Sequence, residues 1–282
     1  MTAEREWTED DLARILRAPG PDDDKYTRGV LGVATGSQRY PGAAVLGVEA
    51  AVRTGVGMVR YLGPEAPSRL VLQRRPEIVT GAGRVQAWLV GSGMPAASER
   101  DHDDELRVLT AMRAGVPVVA DAGALDRVAD AKGPVVVTPH YRELERALAD
   151  SRAPLSLDEI RSDAASAAAR AADALGVTVL LKGSRTHIAS PGGEPIVVSL
   201  GTPWLATAGS GDVLGGVLGA LVAGHSSWVE ARGHAALAEL AASAAALHGL
   251  AGRRASAGGP IVALDIAAAL PATVAELLAA RR

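Results

Sequence analysis

Residues 30–62 read "VLGVATGSQRYPGAAVLGVEAAVRTGVGMVRYL". The run opens on the apolar, β-branched "VLGVAT" (30–35), passes through "TGSQRYPGAA" (35–44), takes helical composition over 42–54 and closes on "GMVRYL" (57–62). Strand, loop, helix and strand in that order predict parallel pairing, because parallel neighbours need a long crossover and a helix supplies it. Downstream, "AWLVG" (87–91), "VPVVAD" (116–121), "VVVT" (135–138) and "VTVLLK" (177–182) are further candidate strands, with helical spacing over 98–114, 140–149 and 157–175. This alternation predicts an α/β fold with a mainly parallel central sheet and helices on both faces.

Two short runs, "THIAS" (186–190) and "PIVVS" (195–199), flank "PGGE" and predict a hairpin added to that sheet. From 227 onward the chain is nearly all Ala and Leu, which predicts a terminal layer of helices broken by a loop at "GRRASAGGP" (252–260). With 282 residues and no evident linker, the expectation is one domain over 1–282, with 1–24 as a helical or loop lead-in.

Composition narrows the function classes. A net charge of −3 and the lack of a basic, aromatic-studded stripe argue against nucleic acid. There are no cysteines, which removes disulfides, thiolate metal sites and a cysteine nucleophile. The acidic start "MTAEREWTEDDLARILRAPGPDDD" lacks a signal-peptide pattern, and the Ala-rich stretches read as too short or interrupted to span a membrane. A cytoplasmic protein is the expectation.

In sheets of this kind ligands bind outside the carboxyl ends of the strands. "TGSQRYPGAA" (35–44), "GSGMP" (91–95), "DAGAL" (121–125) and "TPHYRE" (138–143) all fall there and are expected to share one rim. A further segment, "GTPWLATAGSGDVLGGVLGALVAGH" (201–225), sets Gly209-Ser210-Gly211-Asp212 before an apolar run. Asp212 there is either a plain helix cap or a catalytic acid beside an anion hole built from glycine N–H groups and a helix N-terminus. Known nucleotide signatures do not fit. Gly36 and Gly42 lack the spacing and lysine of a P-loop, and the third glycine of a dinucleotide fingerprint would fall at Leu214. The six histidines are scattered, with no metalloprotease pattern and no nucleophile elbow.

Six segments taken together carry a resemblance: residues 25–60, "GSGM" (91–94), "VVADAGAL" (118–125), "TPHYRE" (138–143), "LLKGSRTHI" (180–188) and residues 201–224. In this order the chain resembles the ADP/ATP-dependent NAD(P)H-hydrate dehydratases of the ribokinase-like superfamily, over roughly 25–280 and without the epimerase domain that some relatives carry. The resemblance implies a three-layer ribokinase-like sandwich. It also implies repair of NADH-hydrate and NADPH-hydrate: a nucleotide, ADP or ATP, phosphorylates the ring hydroxyl, and loss of phosphate restores the double bond.

The same resemblance implies the site. Asp212 accepts the hydroxyl proton; Gly209, Ser210 and Gly211 form the anion hole; Ala43, Gly93, His140 and Asp212 meet the substrate. Lys182, Gly183, Ser184, Arg185 and Thr186, with Gly211, hold the nucleotide, and Glu143 touches Mg²⁺ through water. Against these stand plainer readings: a β-turn at 182–186, packing residues at Ala43 and Gly93, and a dipole-facing acid at Glu143. Asp121, at a strand end, is open as a further Mg²⁺-side or substrate-side carboxylate. Because Asp212 sits at a helix N-terminus, it is expected to be ionised at pH 7 and a weak base. The family also implies a homotetramer. Two other readings use the same anion hole: a ribokinase-like kinase acting on a stable alcohol such as a vitamin precursor, and a non-catalytic nucleotide sensor, against which an intact Asp212 argues.

Overall fold

The structure is a computed structural model that describes residues 4–149 and 151–281; residues 1–3 and 282 of the expected 1–282 domain lie outside the described residues. In chain order the elements are β1 (Arg5–Glu6), α1 (Glu9–Ile15), β2 (Val30–Ala34), α2 (Gly42–Thr54), β3 (Met58–Tyr61), α3 (Glu65–Arg74), β4 (Ala87–Val90), α4 (His102–Met112) and β5 (Val118–Ala120). There follow β6 (Val135–Val137), α5 (Tyr141–Leu148), α6 (Leu157–Ser162), α7 (Ala164–Leu175), β7 (Thr178–Leu181), β8 (Thr186–Ala189) and β9 (Ile196–Val198). The chain ends in α8 (Ser210–Gly224), α9 (Ser226–Arg232), α10 (His234–Ser256) and α11 (Ala263–Ala280).

The strands form one nine-stranded sheet in the order β1-β9-β8-β7-β6-β5-β4-β2-β3. Pairing is parallel from β3 through β7, and the expected hairpin brings β8 in antiparallel to both β7 and β9. Successive side chains of a strand face opposite ways, so each central strand feeds two cores. Leu31, Val33, Val119 and Val136 pack beneath α2, α8 and α10, whereas Val30, Val118, Val135 and Val137 pack on the side of α4, α5 and α7. Helices on both faces of a mainly parallel sheet are the three layers the sequence implies.

Helix α10 corrects two expectations. It continues to Ser256, so only the end of the expected 252–260 break is a loop. Gly252 is within the helix because the Leu205 side chain packs there: a Cβ on Gly252 would stand 2.5 Å from Leu205 Cδ2. Both α10 and α11 are also long and apolar enough, by length and composition, to cross a membrane. The apolar surface of α10 is instead mostly buried within the protein, against α8, α11 and the sheet.

Topology places the rim. From β2 the chain crosses to β3 on one side, then returns past β2 to β4 on the other, so the strand order reverses between β2 and β4. The crevice outside the carboxyl ends of such a pair is where open α/β sheets bind ligands.

Candidate functional site

The loops leaving β2 and β4 meet at this crevice. Gly36 N–H donates to the Ser92 carbonyl at 2.7 Å, and the buried Tyr61 hydroxyl donates to the Thr35 carbonyl at 2.6 Å, which ties the first loop to the sheet. Gly93 has a φ of +66°, a conformation that favours glycine. A Cβ there would lie 2.5 Å from Ala43 Cβ, so Gly93 and Ala43 are brought into contact at the mouth of α2.

Across the rim, Asp121 ends β5 and is buried. Its Oδ1 accepts from Thr138 Oγ1 at 2.7 Å and from Lys182 Nζ at 3.0 Å, and its Oδ2 accepts from Ser92 Oγ at 3.0 Å. Lys182 Nζ also stands 3.6 Å from Glu143 Oε2. Burial works against the Lys182 ammonium, yet Asp121, Glu143 and Asp212 more than compensate and raise its pKa. Lys182 is therefore charged at neutral pH and central to three carboxylates. Two main-chain contacts hold it there: its N–H donates to the Pro139 carbonyl at 2.9 Å, and it forms a single parallel bridge with His140.

His140 and Glu143 form a reciprocal cap on α5. The His140 N–H donates to Glu143 Oε2 at 2.8 Å, while the Glu143 N–H donates to His140 Nδ1 at 3.2 Å. A nitrogen that accepts carries no hydrogen, so the neutral ring presents Nε2–H, which is 3.6 Å from Glu143 Oε1. His140 remains half-exposed and, with Tyr141, Arg142, Lys182, Gly183 and Ser184, lines a cavity of about 480 Å³. Ser184 and Arg185 are exposed, and Thr186 starts β8.

The turn before α8 completes the rim. Gly209 adopts φ +84°, and a Cβ on it would meet Leu46 Cδ1 at 2.4 Å, so no other residue fits without displacement. One of the three residues expected to form an anion hole has its N–H engaged within the chain. Ser210 N–H is directed to the Thr207 carbonyl at 3.3 Å. Among the described residues, the N–H groups of Gly209, Gly211 and Asp212 have no hydrogen-bond acceptor, and helix-terminal donors of this kind attract anions. Gly211 borders Lys182: a Cβ on it would lie 3.5 Å from Nζ. A phosphoryl group placed there would meet N–H donors on one side and an ammonium on the other.

Asp212 is partly buried in the first turn of α8. Its carboxyl is pushed up to about 6, first by burial, then by the negative charge of Asp121, with Lys182 pulling the other way. The rise runs against the expectation of a weak base: burial and Asp121 together outweigh Lys182. At pH 7 the ionised form still predominates, with basicity suited to accepting a proton.

No cage of three or more His, Asp or Glu side chains exists among the described residues.

The sequence had singled out Asp121 only as an open possibility, had placed Ser92 and Thr138 in rim segments without giving either a role, and had not connected His248 to the site. A polar residue closing each apolar strand run was the available signal for Asp121 and Thr138. His248, which contacts Ser210 from α10, showed only as a lone histidine within an apolar helix.

Comparison with known proteins gives the family. The family described as NAD(P)H-hydrate dehydratase matches residues 31–271. The chain is 44% identical over 225 residues to a bifunctional NAD(P)H-hydrate repair enzyme of Mycobacterium tuberculosis, covering 76% of this chain and 45% of that protein. The chain thus spans about half the length of that relative. It is 33% identical to an ADP-dependent (S)-NAD(P)H-hydrate dehydratase of Neisseria meningitidis, with 74% of each covered. Among solved structures, an ADP/ATP-dependent NAD(P)H-hydrate dehydratase of Bacillus subtilis, co-crystallised with ATP and Mg²⁺, superposes with a TM-score of 0.83 at 26% identity, over 97% of this chain and 99% of that one.

Proposed function

The chain belongs to the NAD(P)H-hydrate dehydratase family, and from that premise we propose that it converts (S)-NADH-hydrate and (S)-NADPH-hydrate back to NADH and NADPH with an adenine nucleotide, preferentially ADP. The ring hydroxyl oxygen attacks the terminal phosphorus, its proton passes to Asp212, and the bond from that phosphorus to AMP breaks. The ring C–O bond then breaks, phosphate leaves, and the adjacent ring carbon gives up its proton to water or to the released phosphate, which forms the double bond. The first step demands alignment and charge stabilisation more than covalent help. Unpartnered N–H groups at 209, 211 and 212 and the charged Lys182 supply that stabilisation.

The observation that carries this reading is the Asp212 carboxyl, raised to about 6 by burial and by Asp121 and seated in the same turn as the unpartnered N–H donors. Ala43, Gly93 and His140 border the nicotinamide, and Lys182–Thr186 the nucleotide. Glu143 fits a water-mediated contact to Mg²⁺, since among the described residues its Oε1 makes no hydrogen bond or ion pair shorter than the 3.6 Å to His140 Nε2. When bound with the nucleotide, that ion supplies charge neutralisation at the phosphates. The resemblance alone supports a homotetramer. The test is incubation with NADH-hydrate, Mg²⁺ and ADP or ATP. Recovery of the near-ultraviolet absorbance of the dihydronicotinamide with stoichiometric phosphate supports repair. A stable phosphorylated product would instead mark a small-molecule kinase.

A further inference from the structure

His248 lies deep in α10, buried and 38 residues beyond the turn that precedes α8, yet its Nε2 is 3.2 Å from Ser210 Oγ. Every polar group of Ser210 that could face a ligand is turned inward: its hydroxyl to His248 and its N–H to the Thr207 carbonyl. Ser210 thus braces the turn from within, while the N–H groups of its neighbours Gly211 and Asp212 have no acceptor among the described residues. Gly209 has no Cβ to lock it, so the turn needs such a brace.

Resting on the assignment of residues 209–212 as the phosphate-binding turn, we infer that His248 is a positioning residue: through Ser210 it sets the aim of the Gly211 and Asp212 N–H groups at the transferred phosphoryl. Burial lowers its pKa to about 4, so the imidazole is neutral at working pH and brings no charge to the anion hole. The hydrogen bond has one neutral donor and one neutral acceptor, and its loss corresponds to about three- to tenfold in an equilibrium or rate.

The experiment is a double-mutant cycle with His248→Leu, Ser210→Ala and the pair, beside His248→Gln, which restores an amide at the imidazole edge. Each is measured for unliganded melting temperature, ADP affinity by calorimetry, kcat, and KM for NADH-hydrate. The expected result is that each single variant loses about three- to tenfold in kcat and ADP affinity with KM for the hydrate unchanged. The pair is no worse than Ser210→Ala alone, and His248→Gln recovers most of the loss. Additive losses, or single variants equal to wild type in ADP affinity and kcat, overturn the inference while leaving the dehydratase reading intact. Should His248→Leu fail to fold, Ser210→Ala and His248→Gln decide it by the same criteria. A wild-type protein that does not bind ADP at all overturns both.

Discussion

Glu49 and Asp212 are acids in neighbouring helices of the same layer, and burial raises the pKa of each, yet the two carboxyls end on opposite sides of their ordinary values. Glu49, in α2, is held at about 2. Burial pushes it up, but Arg75 donates twice, at 2.5 and 2.6 Å, Arg53 donates at 2.6 Å, and Arg74 adds a longer contact. Asp212, at the start of α8, has one cation and one carboxylate as its charged neighbours and rises to about 6. Burial alone does not make a carboxylate reactive; the sign and number of its neighbours do. Glu49 is spent on holding α2 to α3, whereas Asp212 is kept available for a proton.

Removing each acid separates the two roles. Asp212→Asn should lower turnover by about 10²- to 10⁴-fold, the range of a general base, while calorimetry still shows ADP binding. The same variant should be more stable than wild type at pH 7–8. A raised folded pKa means that ionisation costs the native state, and this cost grows as pH rises from about 4 to about 6, so its removal is worth roughly 1–3 kcal/mol. A lower melting temperature for the unliganded variant would show that Asp212 is a structural cap.

Glu49→Gln is the opposite case. It leaves three guanidiniums facing an uncharged partner and should cost about 3 kcal/mol in denaturant unfolding, with kcat of the folded enzyme unchanged. Because the folded Glu49 pKa is depressed, its contribution is present above the ordinary glutamate range and fades as pH falls toward about 2. Wild type and variant should therefore converge in stability only as pH falls to about 2 and below, and a constant gap across pH would refute the ion-pair account.

Gly211→Val asks whether the free N–H groups hold a phosphate. The fold tolerates a Cβ at ordinary contact with Lys182, but the added methyls occupy the phosphoryl position. ADP at a hundred times the wild-type Kd should stabilise wild type by about 2.7 kcal/mol and the variant by almost nothing. The smallest effect belongs to His140→Ala, which should raise KM for the hydrate by about tenfold, leave ADP affinity near wild type and cost about 1 kcal/mol as a lost cap. Equal loss of both ligands would move substrate recognition away from α5.

The parts of the molecule that were legible in the sequence are those decided locally. Strands announce themselves as short runs rich in β-branched residues, and eight of the nine among the described residues were readable that way. Strand β1 was not, because Arg5 and Glu6 join the sheet through main-chain pairing with β9 and carry no apolar pattern. Helix α3 was missed because "EAPSRLVLQR" buries only Pro67 and Val71. The glycines of "GRRASAGG" suggested a break, although Gly252 is a packing contact inside α10. At the site, the 209–212 turn and the 140–143 cap are local and were readable. The Lys182–Asp121 and His248–Ser210 pairs join residues 61 and 38 positions apart and leave no periodic trace. The pKa of Asp212 depends on such distant neighbours, which is why its direction was misjudged from the helix terminus alone.

The pH dependence of kcat/KM for NADH-hydrate, measured for wild type and for Asp121→Asn, tests the central claim most directly, since it reports the ionisation of the free enzyme's base. Asp212 must be ionised to accept the hydroxyl proton, so wild-type kcat/KM should fall as pH drops through about 6. Asp121→Asn removes the like charge and releases Lys182 toward Asp212, so its acid limb should move to lower pH whatever the variant's absolute activity. An acid limb that is absent in wild type, or that stays in place in the variant, would contradict the account.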